Sequence, residues 1–317
     1  MNMKNLAMRL GFAAWAIPLG WLVINAPGFS APPAIAHRFL LDRGAVFYPG
    51  QALAILLLFL GASEYLRMLS LWFPKNGFWL VYIWLALQAA SYFTQIISLS
   101  TRYDTFILFL IVAIEAFVWG KKSGRWRRAS LLFSGTAFLS IAGFGMVSLY
   151  GDLFQSVFPS RFTHVGCPPL YARILLSQMG IVAMCAAVFL CDTAAYFIGS
   201  LFGKHHFSSV SPHKTIEGSV AGLAAAVMTA AFGWLLLTTP EARAKYSPWF
   251  GVALGVIIGV FAQIGDLVVS LMKRYFRVKD ASNLIPGHGG VLDRFGSVFF
   301  AAPVIHLFVI IVRKFIP

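Results

Sequence analysis

Apolar blocks of roughly 15–25 residues recur along this chain with short polar stretches between them, the length an α-helix needs to cross about 30 Å of hydrocarbon at about 1.5 Å per residue. A chain built this way buries its apolar surface in lipid. With 59% hydrophobic and only 11% charged residues, it lies far from the roughly 45–50% apolar and 25% charged balance of soluble domains. A soluble globule is excluded. The expected fold class is all-α, a polytopic transmembrane helical bundle of about nine spans.

The spans fall near 10–26, 46–62, 78–99, 105–119, 129–149, 174–198, 217–238, 249–271 and 296–312. The fourth is short and carries Glu115, so a count of eight is the alternative. Lys4 and Arg9 before the first apolar core give it the look of a signal peptide, but Trp15, Trp21 and its length suit an uncleaved anchor. Of the 25 Lys and Arg residues, an N-inside orientation places 16 on the cytoplasmic side and nine outside. Positive charge favours the cytoplasm, so the N-terminus is expected inside and the C-terminus outside. No repeat or soluble domain stands out. Residues 1–165 read as N-terminal membrane spans and 166–317 as a C-terminal membrane region with cytoplasmic polar loops.

A net charge of +14 raises the question of nucleic acid. The bases sit in short loops between apolar spans, which points instead to anionic lipid and phosphate. The run Lys121, Lys122, Arg125, Arg127 and Arg128 is expected to lie on lipid headgroups and to set topology. Cys167, Cys185 and Cys191 form no disulfide or zinc pattern and read as reduced packing residues.

Polarity concentrates in two loops of the second half, 199–216 and 272–295, each preceded by a span that carries an acid. These acids are Asp192 and Asp266. A carboxylate deep in a span costs about 2.5–3.5 kcal/mol on insertion scales, so it needs a cation, a partner or a water-filled cavity. Helical spacing puts Asp266, Ser270 and Lys273 on one face, where an acid can hold a cation and a base can meet phosphate oxygens. The run Pro286-Gly287-His288-Gly289-Gly290 permits a tight turn with amides directed at an anion. In the other loop Lys214 is the candidate phosphate-directed charge, and Thr215 is placed to cap the next helix. The adjacent His205 and His206 read as solvated loop residues rather than a metal site.

Taken together, these residues resemble the signature of the phosphatidate cytidylyltransferases, the CDP-diacylglycerol synthases. The match runs through Ser270, Lys273-Arg274, Lys279-Asp280, Pro286 to Gly290 and Asp293-Arg294. Upstream it takes in Asp192, Ala195-Tyr196, Gly199, Gly203-Lys204, Ser211-Pro212, Lys214-Thr215 and Glu217-Gly218. It covers about residues 170–312; the first half matches only as a set of hydrophobic spans.

The resemblance implies transfer of a cytidylyl group from CTP to phosphatidate, giving CDP-diacylglycerol and pyrophosphate. Asp266 and Asp293 would then hold Mg²⁺, with room for a second cation. Lys214, Lys273, Arg274, Lys279, Asp280, His288 and Arg294 would form the catalytic set, and Asp192, Lys204, Ser211, Ser270, Gly289 and Gly290 would bind substrate. The expected partners are CTP, phosphatidate and membrane lipids, with a second copy of the chain as a candidate and no nucleic acid.

Two positions depart from the family pattern. Val269 stands where an acid normally precedes Ser270, and Gly296 where the run after Asp293-Arg294 normally closes with Asp. These departures keep alternatives open: a non-catalytic or altered-substrate paralogue, a lipid-binding scaffold, or another CTP-dependent lipid transferase or kinase. A transporter using Asp192 and Asp266 is a further class, opposed by the missing repeat and the basic loops.

Overall fold

A computed structural model describes residues 29–30, 46–47, 49–73, 75, 78–94, 125–149, 169–206, 211–212, 214–238, 240–247, 249–287 and 289–315, and the structural statements below concern these. In chain order they form β1 (Phe29–Ser30), β2 (Val46–Phe47), α1 (Pro49–Ser70), α2 (Trp79–Thr94), α3 (Arg125–Leu149) and α4 (Pro169–Phe202). α5 (Ile216–Leu237), α6 (Pro240–Tyr246), α7 (Phe250–Tyr275) and α8 (Val291–Phe315) follow. β1 and β2 make one short antiparallel pair, Phe29 opposite Phe47.

The fold is an all-α polytopic membrane bundle. Six helices are long and apolar enough to cross a bilayer, namely α1, α3, α4, α5, α7 and α8. α2 is a shorter apolar helix where a span at 78–99 is expected. The expected spans at 10–26 and 105–119, and the boundary at 165/166, lie outside the described residues. Several helices run past the expected span ends. α1 continues through Glu64 and Arg67, α7 through Lys273 and Arg274, and α8 begins at Val291 with Asp293 in its first turn.

α4 packs on α5, α5 on α7 and α7 on α8, while α8 also lies against α3 and α1. Small residues let backbones approach. A Cβ on Gly218 of α5 would lie 2.5 Å from the Ala195 carbonyl of α4, and one on Gly255 of α7 would lie 2.5 Å from Val227 Cα of α5. Such crossings are how membrane helices gain dispersion contacts without a hydrophobic drive between them. α7 and α8 contribute to both apolar cores. Ile258, Ala262, Ala302 and Ile305 join Val188 and Trp234 in one; Val269, Leu292 and Phe299 join Leu69 and Leu132 in the other.

The alternation of helices brings several polar connections to one end of the bundle. There Glu64 of α1 meets Ser282 of the α7–α8 loop, Arg127 of α3 meets Tyr275 of α7, and Lys214 before α5 meets Asp266 of α7. The basic run does not simply coat headgroups. Arg128 is 0% exposed beside Phe78 on the packed face of α3, and the exposed Arg127 next to it lies over the rings of Trp72 and Tyr275. Lys121 and Lys122 lie outside the described residues. Cys185 and Cys191 are free thiols, and Cys167 is not among the described residues.

Candidate active site at one end of the bundle

The first polar loop turns back onto the start of α5. Thr215 caps that helix, accepting a hydrogen bond from the Gly218 amide at 3.2 Å. Ile216 donates to the His205 carbonyl at 2.9 Å, and the His205 ring meets Glu217 at 2.6 Å. Glu217 thereby ties the loop to the helix that follows it. This fixes Lys214, whose Nζ lies 2.8 Å from Asp266 and also donates to the Gln263 carbonyl at 3.4 Å.

Asp192 on α4 accepts from Ser297 of α8 at 3.1 Å, and it lies within electrostatic range of both Asp266 and Lys214. Three chain segments and α8 therefore meet around two acids and one lysine. The Asp266 side chain keeps 43% of its surface exposed, so this acid is open to a further ligand.

The second polar loop begins where α7 ends in a Schellman turn. Val278 donates to the Lys273 carbonyl at 2.9 Å and Arg277 to the Arg274 carbonyl at 3.0 Å, with Arg277 in the left-handed region at φ 59°. The chain then folds into a tight reversal around Pro286 and Gly287, closed by paired hydrogen bonds between Ile285 and Gly289 at 2.8 and 3.1 Å. Gly287 and Gly289 have φ of 72° and 88°, which only glycine adopts without strain. The turn expected here is present. His288 lies outside the described residues.

Asp293 fastens this loop. One of its oxygens takes Lys273 Nζ at 2.6 Å, and the other accepts from the Ala281 and Gly290 amides, each at 2.9 Å. With its side chain 7% exposed, it is a hub between α7, the loop and α8. The Gly289 and Gly290 amides are thus engaged within the loop.

Of the residues singled out in the sequence, the structure joins Lys214 to Asp266 and Asp293 to both Lys273 and Gly290, while Asp192 meets Ser297. Ser270 is half-buried on α7, between the two lysine–aspartate contacts along the helix. Lys204, Arg274, Lys279, Asp280 and Arg294 are exposed at the same end, and Ser211 is half-buried. Asp266 and Asp293 each have their own lysine rather than sharing one. Among the described residues no group of three or more His, Cys, Asp or Glu side chains forms a ready-made metal cage.

The family profile described as "Cytidylyltransferase family" matches residues 39–312, most of the chain. The chain belongs to the cytidylyltransferase family. Its similarity to individual members is more local. It is 40% identical over 126 residues to a phosphatidate cytidylyltransferase of Synechocystis sp., covering 40% of this chain and 41% of that protein. It is 40% identical over 124 residues to a phosphatidate cytidylyltransferase of Staphylococcus saprophyticus, covering 39% and 46%. To the protein of that name from Staphylococcus aureus it is 39% identical over 129 residues, covering 39% and 46%. The match therefore spans less than half the length of each relative.

Within this cytidylyltransferase fold one residue escaped the sequence reading. Glu64 of α1 is 2% exposed, and it accepts hydrogen bonds from Ser282 Oγ at 2.6 Å, the Val291 amide at 2.7 Å and the Leu292 amide at 2.8 Å. A lone acid just past an apolar block is its only mark in the sequence, and it looks like a span end. A cavity of about 380 Å³ opens beside it, lined by Leu60, Ser63, Arg67 and the loop residues Ser282 to Leu284.

Proposed function

We propose that this protein transfers a cytidylyl group from CTP to phosphatidate, forming CDP-diacylglycerol and releasing pyrophosphate. Membership of the cytidylyltransferase family supports the nucleotide half of this reading. The names of the relatives support the lipid half. The observation that carries it is the gathering of Lys214–Asp266 and Lys273–Asp293 at one end of a membrane bundle, beside exposed Arg274, Lys279 and Arg294.

The chemistry asks for little covalent help from the protein. An oxygen of the lipid phosphate attacks the α-phosphorus of CTP, a new P–O bond forms, and the bond to the β-phosphate oxygen breaks with pyrophosphate leaving. The nucleophile is already anionic at neutral pH, so no general base is needed. What is needed is to hold two mutually repelling anions in line and to neutralise charge on the leaving group. Lys214 and Lys273, fixed by carboxylates at 2.8 and 2.6 Å, are the preorganised cations for that task.

Asp266, with Asp192 nearby, would hold Mg²⁺, which when bound would supply positive charge against the phosphates and the leaving pyrophosphate. The donor set fits it best at Asp266, which is partly open and has Asp192 nearby as a second acid, with Lys214 in electrostatic range of both. Asp293, the other expected ligand, would have to exchange Lys273 or an amide to bind metal. His288 is assigned to shaping the glycine turn or donating to phosphate, Asp280 stays with the catalytic set, and Lys204, Ser211, Ser270, Gly289 and Gly290 go to the substrate rim. In this reading the polar end faces the cytoplasm, where CTP is, within a nine-span arrangement, and the acyl chains enter between helices from the bilayer. Residues 166–317 form the catalytic region, and a homodimer is the proposed assembly.

The second reading, a non-catalytic or altered-substrate paralogue, draws on Val269. This side chain is 3% exposed and packs where Gly296 has no side chain, so an apolar contact replaces two family acids. Incubating the purified protein with labelled CTP, Mg²⁺ and phosphatidate separates the two. Label in a chloroform-soluble product supports the first; bound but unconverted CTP supports the second.

A further inference from the structure

We propose that Glu64 is a positioning residue that sets the place of the Lys273–Asp293 pair from the opposite half of the chain. The inference rests on the reading of that pair as part of the nucleotide site.

Glu64 sits on α1, more than 200 positions in sequence from the groups it binds. Both of its oxygens are engaged, one by Ser282 Oγ and the Val291 amide and the other by the Leu292 amide. Val291 and Leu292 open α8, so the carboxylate satisfies two of the amides that a helix start leaves without intrahelical partners, and its charge opposes the positive end of the helix dipole. The fit leaves no slack: a Cβ on Gly290 would stand 2.6 Å from each Glu64 oxygen.

The residue that follows these amides is Asp293. Its position depends on where α8 starts, and Lys273, Ala281 and Gly290 depend on Asp293. Glu64 also holds Ser282, one residue beyond the Ala281 amide that Asp293 accepts from. It therefore grips the loop and the helix on both sides of Asp293. A carboxylate buried this deeply in an apolar bundle would be costly without such partners. Its three contacts all fall on the segment that carries the pair.

Glu64→Gln tests this on the full-length chain, because the amide keeps the shape but turns one acceptor into a donor facing a donor. Hydrogen exchange is expected to rise about tenfold or more at Val291 and Leu292, with α4 and α5 unchanged. Binding of CTP with Mg²⁺ is expected to weaken about tenfold, and by less than about twofold when Lys273→Ala is already present, because Glu64 acts through that pair. Ser282→Ala removes one of the three contacts and should show the same pattern at smaller size, which keeps the test open should Glu64→Gln fail to fold. Unchanged exchange with intact CTP binding overturns the inference alone. An equal loss of binding with and without Lys273 reduces Glu64 to a structural residue and also overturns it. A native chain that binds no CTP overturns the functional reading, and the inference falls with it.

Discussion

A Cβ built on Gly296 of α8 would stand 2.6 Å from Cγ2 of Val269 on α7. The two positions that depart from the family pattern are therefore one packing contact. Along α7, Val269 lies between Asp266 and Lys273; along α8, Gly296 lies between Asp293 and Ser297. An apolar contact thus separates the Asp192–Asp266 polar group from the Lys273–Asp293 pair. Gly296→Ala should destabilise the protein by about 1–3 kcal/mol through overpacking, and Val269→Ala should relieve most of that cost in the double variant. Thermal unfolding in detergent measures both. A neutral Gly296→Ala would mean the helices separate freely at this crossing.

The same contact constrains any attempt to restore the family acids. Gly296→Asp alone places a branched acid against Val269 and is expected to fold poorly, whereas Val269→Glu with Gly296→Asp removes the valine methyls. The double variant should reach half-maximal rate at lower Mg²⁺ than the native chain, since it adds carboxylates beside the proposed cation site. Titrating the rate against Mg²⁺ checks this. Identical curves would place positions 269 and 296 beyond the cation's reach.

Asp266 and Asp293 are expected to fail in different ways. Asp266→Asn should abolish turnover while leaving the unfolding temperature close to native, because its side chain is 43% exposed and holds one lysine. Asp293→Asn should abolish turnover and also loosen the loop, since its oxygens hold Lys273 and two backbone amides. The loss of a buried charged acceptor costs about 1.5–3 kcal/mol per bond. Rate and unfolding measured on the same preparations separate the two, and turnover within a few-fold of native for either variant would remove that residue from the site.

The basic run that leads into α3 and through its first turn divides similarly. Arg128→Ala is expected to cost about 2–4 kcal/mol, since the side chain is 0% exposed within α3's packed face. Lys121→Ala and Lys122→Ala should leave turnover within a few-fold, as expected of headgroup contacts. Turnover and unfolding of the three variants decide between the roles.

The orientation can be read in intact cells. Cysteines introduced near Gly124 and Ser209 should be shielded from an impermeant outside reagent, and one near Ser247 should label, following the 16 to nine division of basic residues. Labelling near Ser209 from outside would invert the topology.

The membrane bundle was legible because hydropathy reports the lipid-facing length of each helix, and α3, α5, α7 and α8 fall on expected spans. Their polar ends were less legible. Glu64 and Arg128 interrupt or bound apolar runs, and a sum over residues treats any charge as leaving the membrane. It has no means of knowing that Glu64 caps α8 or that Arg128 lies against Phe78. The glycine turn at 286–290 and the Thr215 cap were readable because backbone geometry demands those residue types locally. The partners of Lys214 and Lys273 were not, since a pairing between residues 52 or 20 positions apart depends on how helices cross. The short helix α6 and the β1–β2 pair carry no periodic signal at their length.

The central claim is tested most directly by following the cytidylyl group itself. Purified protein with Mg²⁺, phosphatidate and CTP labelled in its α-phosphate should transfer label to lipid with one pyrophosphate released per lipid formed. Chelating Mg²⁺ should stop the transfer, and Lys214→Ala or Lys273→Ala should slow it by about a hundredfold or more, as expected for removal of a preorganised charge. Folded protein that binds CTP yet leaves all label in the aqueous phase, with phosphatidate and Mg²⁺ in excess, would contradict the account.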